Sequence, residues 1–272
     1  MQYKLLVLDI DGTLVGKAGT ISPENKQALA RASASGVTVS LCTGRSLTGC
    51  RPVLAELALN GCHIFYDGAL VINPASNHEV FVQELEVTAI KKAVDWSHRQ
   101  GLDIEIYSST RYFAEHENWS TETHRKYFNT TPTFVNYPDL LGRERIIKIG
   151  AVANSSAERE KITNFCREFQ GIFNFSWVTS PSFPDAEFIN IVSPQVSKGR
   201  AVSELAGYLG IARAEIIAVG DGKNDISMLA AAGFGVAMQN SPDTLKSIAG
   251  YITTDVEENG LAAAVEKFII NE

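Results

Sequence analysis

A chain of 272 residues, 45% hydrophobic and 20% charged, can bury a full core and stands at the length where one domain tends to become two. Its formal net charge of −7 argues against general affinity for nucleic acid or anionic membrane, so an anionic ligand would need a local positive site. The cysteines (Cys42, Cys50, Cys62, Cys166) form no CxxC pair, no signal peptide precedes the first strand, and no apolar run approaches membrane-spanning length; a cytoplasmic protein is expected.

Leu5-Leu-Val-Leu8 reads as a strand buried on both faces of a parallel sheet, and Asp9-Ile-Asp11-Gly12-Thr13 places two carboxylates where it ends. Two acids two positions apart repel and cost desolvation unless a cation or donors meet them. Ligands of open parallel sheets lie outside the carboxyl ends of the strands, where these acids would stand. A solvated Asp-Gly turn would account for these residues nearly as well, and the later stretches decide between the two. From Thr20 to Gly36 the pattern is helical, with Ser22 as cap, Pro23 at the first helical position and Gly36 at the exit. Val37–Thr43 follows as a short β-branched strand, and a right-handed crossover would set its end beside the first strand. Thr43-Gly44-Arg45 then precedes a helix opened by Ser46; a hydroxyl, a glycine and an arginine before a helix start suit a phosphate. His63-Ile-Phe-Tyr-Asp67-Gly68 reads as a third strand and turn, with Ala69–Ile72 returning as a hairpin.

From about Phe81 to Glu187 strict alternation of strand and helix stops, which suggests an α+β unit inserted into the first. Helices are expected at Thr88–Arg99, Ser120–Asn129 and Ala157–Phe169, and strands at Asp103–Tyr107, Arg111–Ala114, Arg145–Val152, Ile172–Val178 and Glu187–Val192. Asn118-Trp-Ser and Asn129-Thr-Thr match the glycosylation acceptor pattern, without meaning in a cytosolic chain. The α/β pattern resumes at Ser197-Lys198-Gly199, which opens a helix through Leu209. The strand Glu215–Val219 ends in Gly220-Asp221-Gly222-Lys223-Asn224-Asp225, followed by a helix at Ile226–Ala232 and a strand at Phe234–Ala237. A loop with two acids, an asparagine and two glycines directly after a buried strand can place carboxylates on a hard cation such as Mg²⁺.

Taken in order, Asp9-Ile-Asp11-Gly-Thr13, Thr43-Gly-Arg45, Ser197-Lys198-Gly199 and Gly220-Asp221-Gly-Lys-Asn224-Asp225 resemble the haloacid dehalogenase-like phosphatases, in particular their Cof-type sugar-phosphatase branch. Met228-Leu229, Gly235-Val-Ala-Met238-Gln-Asn240 and Glu257-Glu-Asn-Gly260 continue the match. The resemblance implies an α/β fold: a Rossmann-like parallel-sheet core over residues 1–80 and 188–272, with an α+β cap over 81–187 that closes on the site. It implies Asp9 as nucleophile and Asp11 as general acid and base. Mg²⁺ would be held by Asp9, the Asp11 carbonyl, Asp221 and Asp225, and the phosphoryl group by Thr43, Gly44, Arg45, Lys198 and Asn224. The expected activity is a Mg²⁺-dependent phosphoric monoester hydrolase acting on small phosphorylated metabolites, with sugar phosphates foremost, as a monomer or small homo-oligomer. A phosphosugar mutase, or a non-catalytic binding protein on the same fold, are the rivals; free phosphate released with Mg²⁺ present separates the three. Two departures stand out: the branch usually has Asn-Gly where this chain has Asp67-Gly68, and often an acid where it has Asn190. Arg111, His116, Arg125, Arg145 and Lys148 are the cap's candidate substrate contacts.

Overall fold

A computed structural model of the chain describes residues 2–128, 130–180 and 183–271. Its core is a parallel sheet in the order Tyr251–Ile252, Phe234–Ala237, Ile216–Gly220, Leu5–Leu8, Thr38–Leu41. The apolar run Leu5–Leu8 lies between two strands far away in sequence, with Leu8 opposite both Leu41 and Val219. Alternation sends Leu6 and Leu8 into one apolar cluster with Leu29, Val39 and Leu261, and Leu5 and Val7 into another with Val202, Leu205 and Met228. Each such side chain, fully buried, contributes roughly 1.5–3 kcal/mol. The registers bring Asp9, Thr43 and Asp221 to one rim of the sheet, each just beyond a strand end.

Helix Pro23–Ala34 starts as its sequence predicts, with Ser22 Oγ accepting from Asn25 N–H at 3.1 Å and proline at the first turn. Buried Asn25 also accepts from Ala262 N–H at 3.0 Å, tying this helix to Gly260–Val265, a C-terminal element that periodicity did not reveal. Ser46 caps helix Leu47–Glu56 in the same way. Ser197 accepts from Arg200 N–H, which makes Lys198 the first residue of helix Lys198–Leu209.

The expected third strand does not extend the core sheet. His63–Phe65 pairs antiparallel with Leu70–Asn73, and that strand with His78–Val82, in a separate three-stranded sheet joined to the core by one bridge between Cys42 and Ile64. The inserted segment builds a six-stranded sheet in the order Asn174–Ser180, Phe183–Val192, Lys148–Ala153, Glu105–Tyr107, Tyr112–Ala114, Thr133–Phe134. Helices Val87–Gln100 and Ser156–Glu168 pack on it through Ile90, Val94, Trp96, Ile162 and Phe165. Three of its expected strands are shorter than their sequence suggests, at Glu105–Tyr107, Tyr112–Ala114 and Lys148–Ala153, whereas Phe183–Val192 starts four residues before the expected Glu187. Helix Trp119–Phe128 occupies the expected place; Asn129, predicted as its end and as part of an acceptor pattern, lies outside the described residues.

Candidate active site

Four loops meet at the carboxyl rim of the parallel sheet. The first turns tightly after Leu8, with Leu14 and Val15 N–H both donating to Ile10 C=O. Gly12 permits this turn: its φ is +89°, and a Cβ there would stand 2.2 Å from an Asp221 oxygen. Thr13 Oγ1 donates to Asp221 Oδ1 at 2.9 Å, and Asn240 Nδ2 bridges Gly12 C=O (2.9 Å) and Asp221 Oδ2 (3.4 Å). In the loop after Ile216–Gly220, Asp225 Oδ2 accepts from Asp221 and Gly222 N–H, so this acid is spent partly on shaping its own loop.

Lys198 is 1% exposed and its ammonium lies between Asp9 Oδ1 (2.7 Å) and Asp225 Oδ1 (2.6 Å). Burial alone would lower its pKa, but the Asp225 and Asp9 carboxylates more than offset it and hold the lysine well above its ordinary value. Asp9, Asp221 and Asp225 each offer an oxygen within 4.8 Å of the others. Burial, then repulsion by Asp225 and Asp221, raises the Asp9 pKa against the pull of Lys198; burial and Asp225 push Asp221 up to about 7. One ammonium does not neutralise three converging carboxylates. Hard oxygen donors with a charge deficit of this kind fit a divalent cation.

The Asp11 carboxylate takes no part in that cluster. It accepts a two-pronged hydrogen bond from Arg45, Nε to Oδ2 at 2.8 Å and Nη2 to Oδ1 at 2.6 Å. Arg45, expected to hold a phosphoryl group, therefore lines the cavity while its guanidinium grips Asp11. Thr43 Oγ1 accepts from Arg45 N–H at 3.1 Å, which shapes the Thr43-Gly44-Arg45 turn.

These residues floor a cavity of about 820 Å³. Of the residues expected at the site, Asp9, Asp11, Thr43, Gly44, Arg45, Lys198, Asp221 and Asn224 line it, and Asp225 is buried out of its lining. The inserted sheet and its helix contribute Tyr107, His124 and Lys148 together with Phe175, Trp177 and Phe188. Of the five expected cap contacts, Lys148 alone is among them. Arg111, His116, Arg125 and Arg145 pair with Glu144, Asp103, Glu117 and Glu79 elsewhere. His124 was missed because a lone histidine on a polar helix carries no periodic signal. Its setting is buried Glu105, which accepts from Tyr107, Tyr112 and Ser120 hydroxyls and sits 3.3 Å from His124 Nδ1. Burial would raise the Glu105 pKa, but His124 and these donors pull it down to about 2. The two departures from the family pattern turn out to be partners: Asn190 Nδ2 donates to Asp67 Oδ2 at 2.6 Å.

A parallel sheet with acids at its carboxyl rim, an inserted α+β sheet over them and a buried lysine between the acids defines a class of hydrolase. Residues 6–265 match the family of haloacid dehalogenase-like hydrolases, and the chain belongs to that family. It is 30% identical to YxeH of Bacillus subtilis over 273 residues, covering 98% of this chain and 99% of that one. It is 28% identical to the 5-amino-6-(5-phospho-D-ribitylamino)uracil phosphatase YcsE of the same organism, over 99% of this chain and 97% of the relative. A haloacid dehalogenase-like hydrolase from Bacteroides thetaiotaomicron superposes with a TM-score of 0.85 at 28% identity, covering 97% of this chain and 99% of its own.

Proposed function

We propose that the protein is a Mg²⁺-dependent phosphatase of small phosphorylated metabolites, sugar phosphates foremost, working through an aspartyl-phosphate. The observation that carries this reading is Asp9: its carboxylate is buried on the cavity floor, held by Lys198, beside Asp221 and Asp225. In the first step an Asp9 oxygen bonds to phosphorus as the ester P–O bond breaks, and Asp11 gives its proton to the leaving oxygen. In the second, water attacks phosphorus, Asp11 takes the water's proton, and the Asp9–phosphorus bond breaks to free Asp9 and phosphate. The Arg45 fork suits the ionised Asp11 of the second step; to face a leaving oxygen in the first, Asp11 must leave that fork. Asp9, Asp221, Asp225 and the Asp11 carbonyl would hold Mg²⁺, which supplies charge neutralisation at the phosphoryl oxygens. Lys198, Thr43 and the Gly44 N–H would meet the remaining oxygens, with Asn224 beside them.

We place the catalytic core in residues 1–80 and 188–272 and the cap in 81–187; the last cap strand runs on to Val192 before the chain re-enters the core. The cavity far exceeds a phosphoryl group, and its cap wall would meet the leaving group: Lys148, His124 and Tyr107 for hydroxyls, Phe175, Trp177 and Phe188 for an apolar or ring-shaped part. The relative named for a phosphoribitylamino-uracil acts on such a compound, a sugar-alcohol phosphate carrying a ring. A panel of phosphorylated sugars, sugar alcohols and nucleotides, assayed for free phosphate with Mg²⁺ and with EDTA, tests the reading. Mg²⁺-dependent phosphate release is expected. Isomerised sugar without phosphate would mean a mutase, and neither product a binding protein.

A further inference from the structure

Asp67 is the point at which the cap strand and two of the core loops meet. Its carboxylate accepts from Asn190 Nδ2 on the cap strand (2.6 Å, at Oδ2) and from Asn224 Nδ2 on the loop after Ile216–Gly220 (2.9 Å, at Oδ1). Its own N–H donates to Thr43 C=O at 3.0 Å. The residue is 6% exposed and sits in a turn where Tyr66, Asp67 and Gly68 have φ of +54°, +55° and +105°. A left-handed run that includes a tyrosine persists only where the surroundings hold it. Here they do: Gly68 lies so close to Ser197 C=O that a Cβ would come within 2.4 Å of it. Gly44 is pressed against the pair itself, since a Cβ there would stand 2.5 Å from Asn190 Nδ2 and 3.1 Å from both Asp67 oxygens. Lys148 also reaches this corner from the cap, with Nζ 3.4 Å from Gly44 C=O.

An amide group has two N–H donors in one plane, so an anion that holds one of them sets the direction of the other and of the carbonyl. Asp67 does this for Asn224 from one oxygen and fastens the cap strand with the other. We propose that Asp67 is a positioning residue: it presets Asn224 for the phosphoryl group and makes the seating of the cap and the orientation of that amide a single event. This rests on the phosphoryl-transfer reading of the site.

The test exploits the symmetry of a carboxylate–amide pair. Asn190→Asp sets two carboxylates against each other at a 2.6 Å contact. The exchanged pair, Asp67→Asn with Asn190→Asp, restores donor and acceptor with roles reversed, and the amide oxygen introduced at position 67 can still accept from Asn224. With p-nitrophenyl phosphate and Mg²⁺, Asn190→Asp should lower kcat/KM by about tenfold or more, and the exchange should return it to within about threefold of wild type. An exchanged pair no more active than Asn190→Asp alone would overturn the proposal. Asp67→Ala should raise the inhibition constant of inorganic phosphate about tenfold, with a smaller change in kcat; an unchanged inhibition constant in a folded variant would also overturn it. Should Asp67→Ala not fold, the comparison of Asn190→Asp with the exchange still decides. Should the wild type cleave no phosphate ester, the proposed reaction falls, while melting temperatures still read the clamp. Asn190→Asp should then melt below wild type and the exchange should recover; a variant melting with wild type would overturn the clamp.

Discussion

Lys198 and Asp9 show at the residue scale how one buried cation can serve both stability and chemistry. Lys198→Met would leave Asp9 and Asp225 buried without their ammonium, and removing one partner of a buried pair costs about 3–5 kcal/mol. A lower melting temperature is expected, with a gap that Mg²⁺ narrows because it neutralises the same carboxylates; calorimetry with EDTA and with millimolar Mg²⁺ checks both. Asp9→Asn should stay folded by circular dichroism yet lose at least about a thousandfold in phosphate release, since an amide is neither anionic nor a competent nucleophile. Near-normal turnover by that variant would remove Asp9 from the role proposed. Asp9 was legible in the sequence, because an acid after a buried strand keeps a fixed place relative to a local element; Lys198, which beside a helix cap reads as a solvated side chain, was singled out only by the family resemblance. The Arg45–Asp11 fork was not: it joins side chains 34 positions apart, and nothing local selects Asp11 over a phosphate as the arginine's partner.

Among the elements, the strand His63–Phe65 holds the edge of the core sheet through a buried histidine. His63 Nδ1 accepts from Leu41 N–H at 3.2 Å, and burial lowers the histidine pKa from 6.5 to about 4. The unfolded chain therefore takes up this proton first as pH falls. The stability owed to neutral His63 is complete above about pH 6.5, declines as pH drops toward 4 and is lost below that; the total is on the order of 3 kcal/mol. His63→Asn keeps an acceptor near the Nδ1 position but cannot titrate. Its melting temperature should fall less between pH 7 and pH 4 than that of the wild type. Parallel melting curves would refute the assignment. Likewise Ser197→Ala should cost about 1 kcal/mol as a lost helix cap and loosen Lys198, which it precedes.

On the scale of the whole molecule, the cavity joins a rim that would carry the chemistry to a wall that would recognise the leaving group. Trp177 is on that wall, steered by Arg159, whose guanidinium lies 5.8 Å from its ring and pairs with Glu187. Trp177→Ala should lower kcat/KM for the best natural substrate by about tenfold or more. The loss for p-nitrophenyl phosphate, whose leaving group needs little help, should be smaller. The measured quantity is the ratio of the two values; equal losses would mean that this wall does not discriminate.

The sequence by itself determined the parallel core and the acids at its rim, while the lysine among them was marked by the family resemblance. Apolar runs, helix caps and strand-end loops are local patterns, and the crossover rule brings their ends together. It also marked Asp67 and Asn190 as unusual without showing why. Only the tertiary structure decided that these two are hydrogen-bonded partners, that His63–Phe65 belongs to a sheet of its own, and that Lys148, not the other cap arginines and histidine, faces the cavity. The hydrogen-bonded pair and the place of Lys148 depend on segments more than a hundred positions apart, and the sheet of His63–Phe65 on a local hairpin meeting the core only at its edge; packing choices of this kind leave no periodic trace in the sequence.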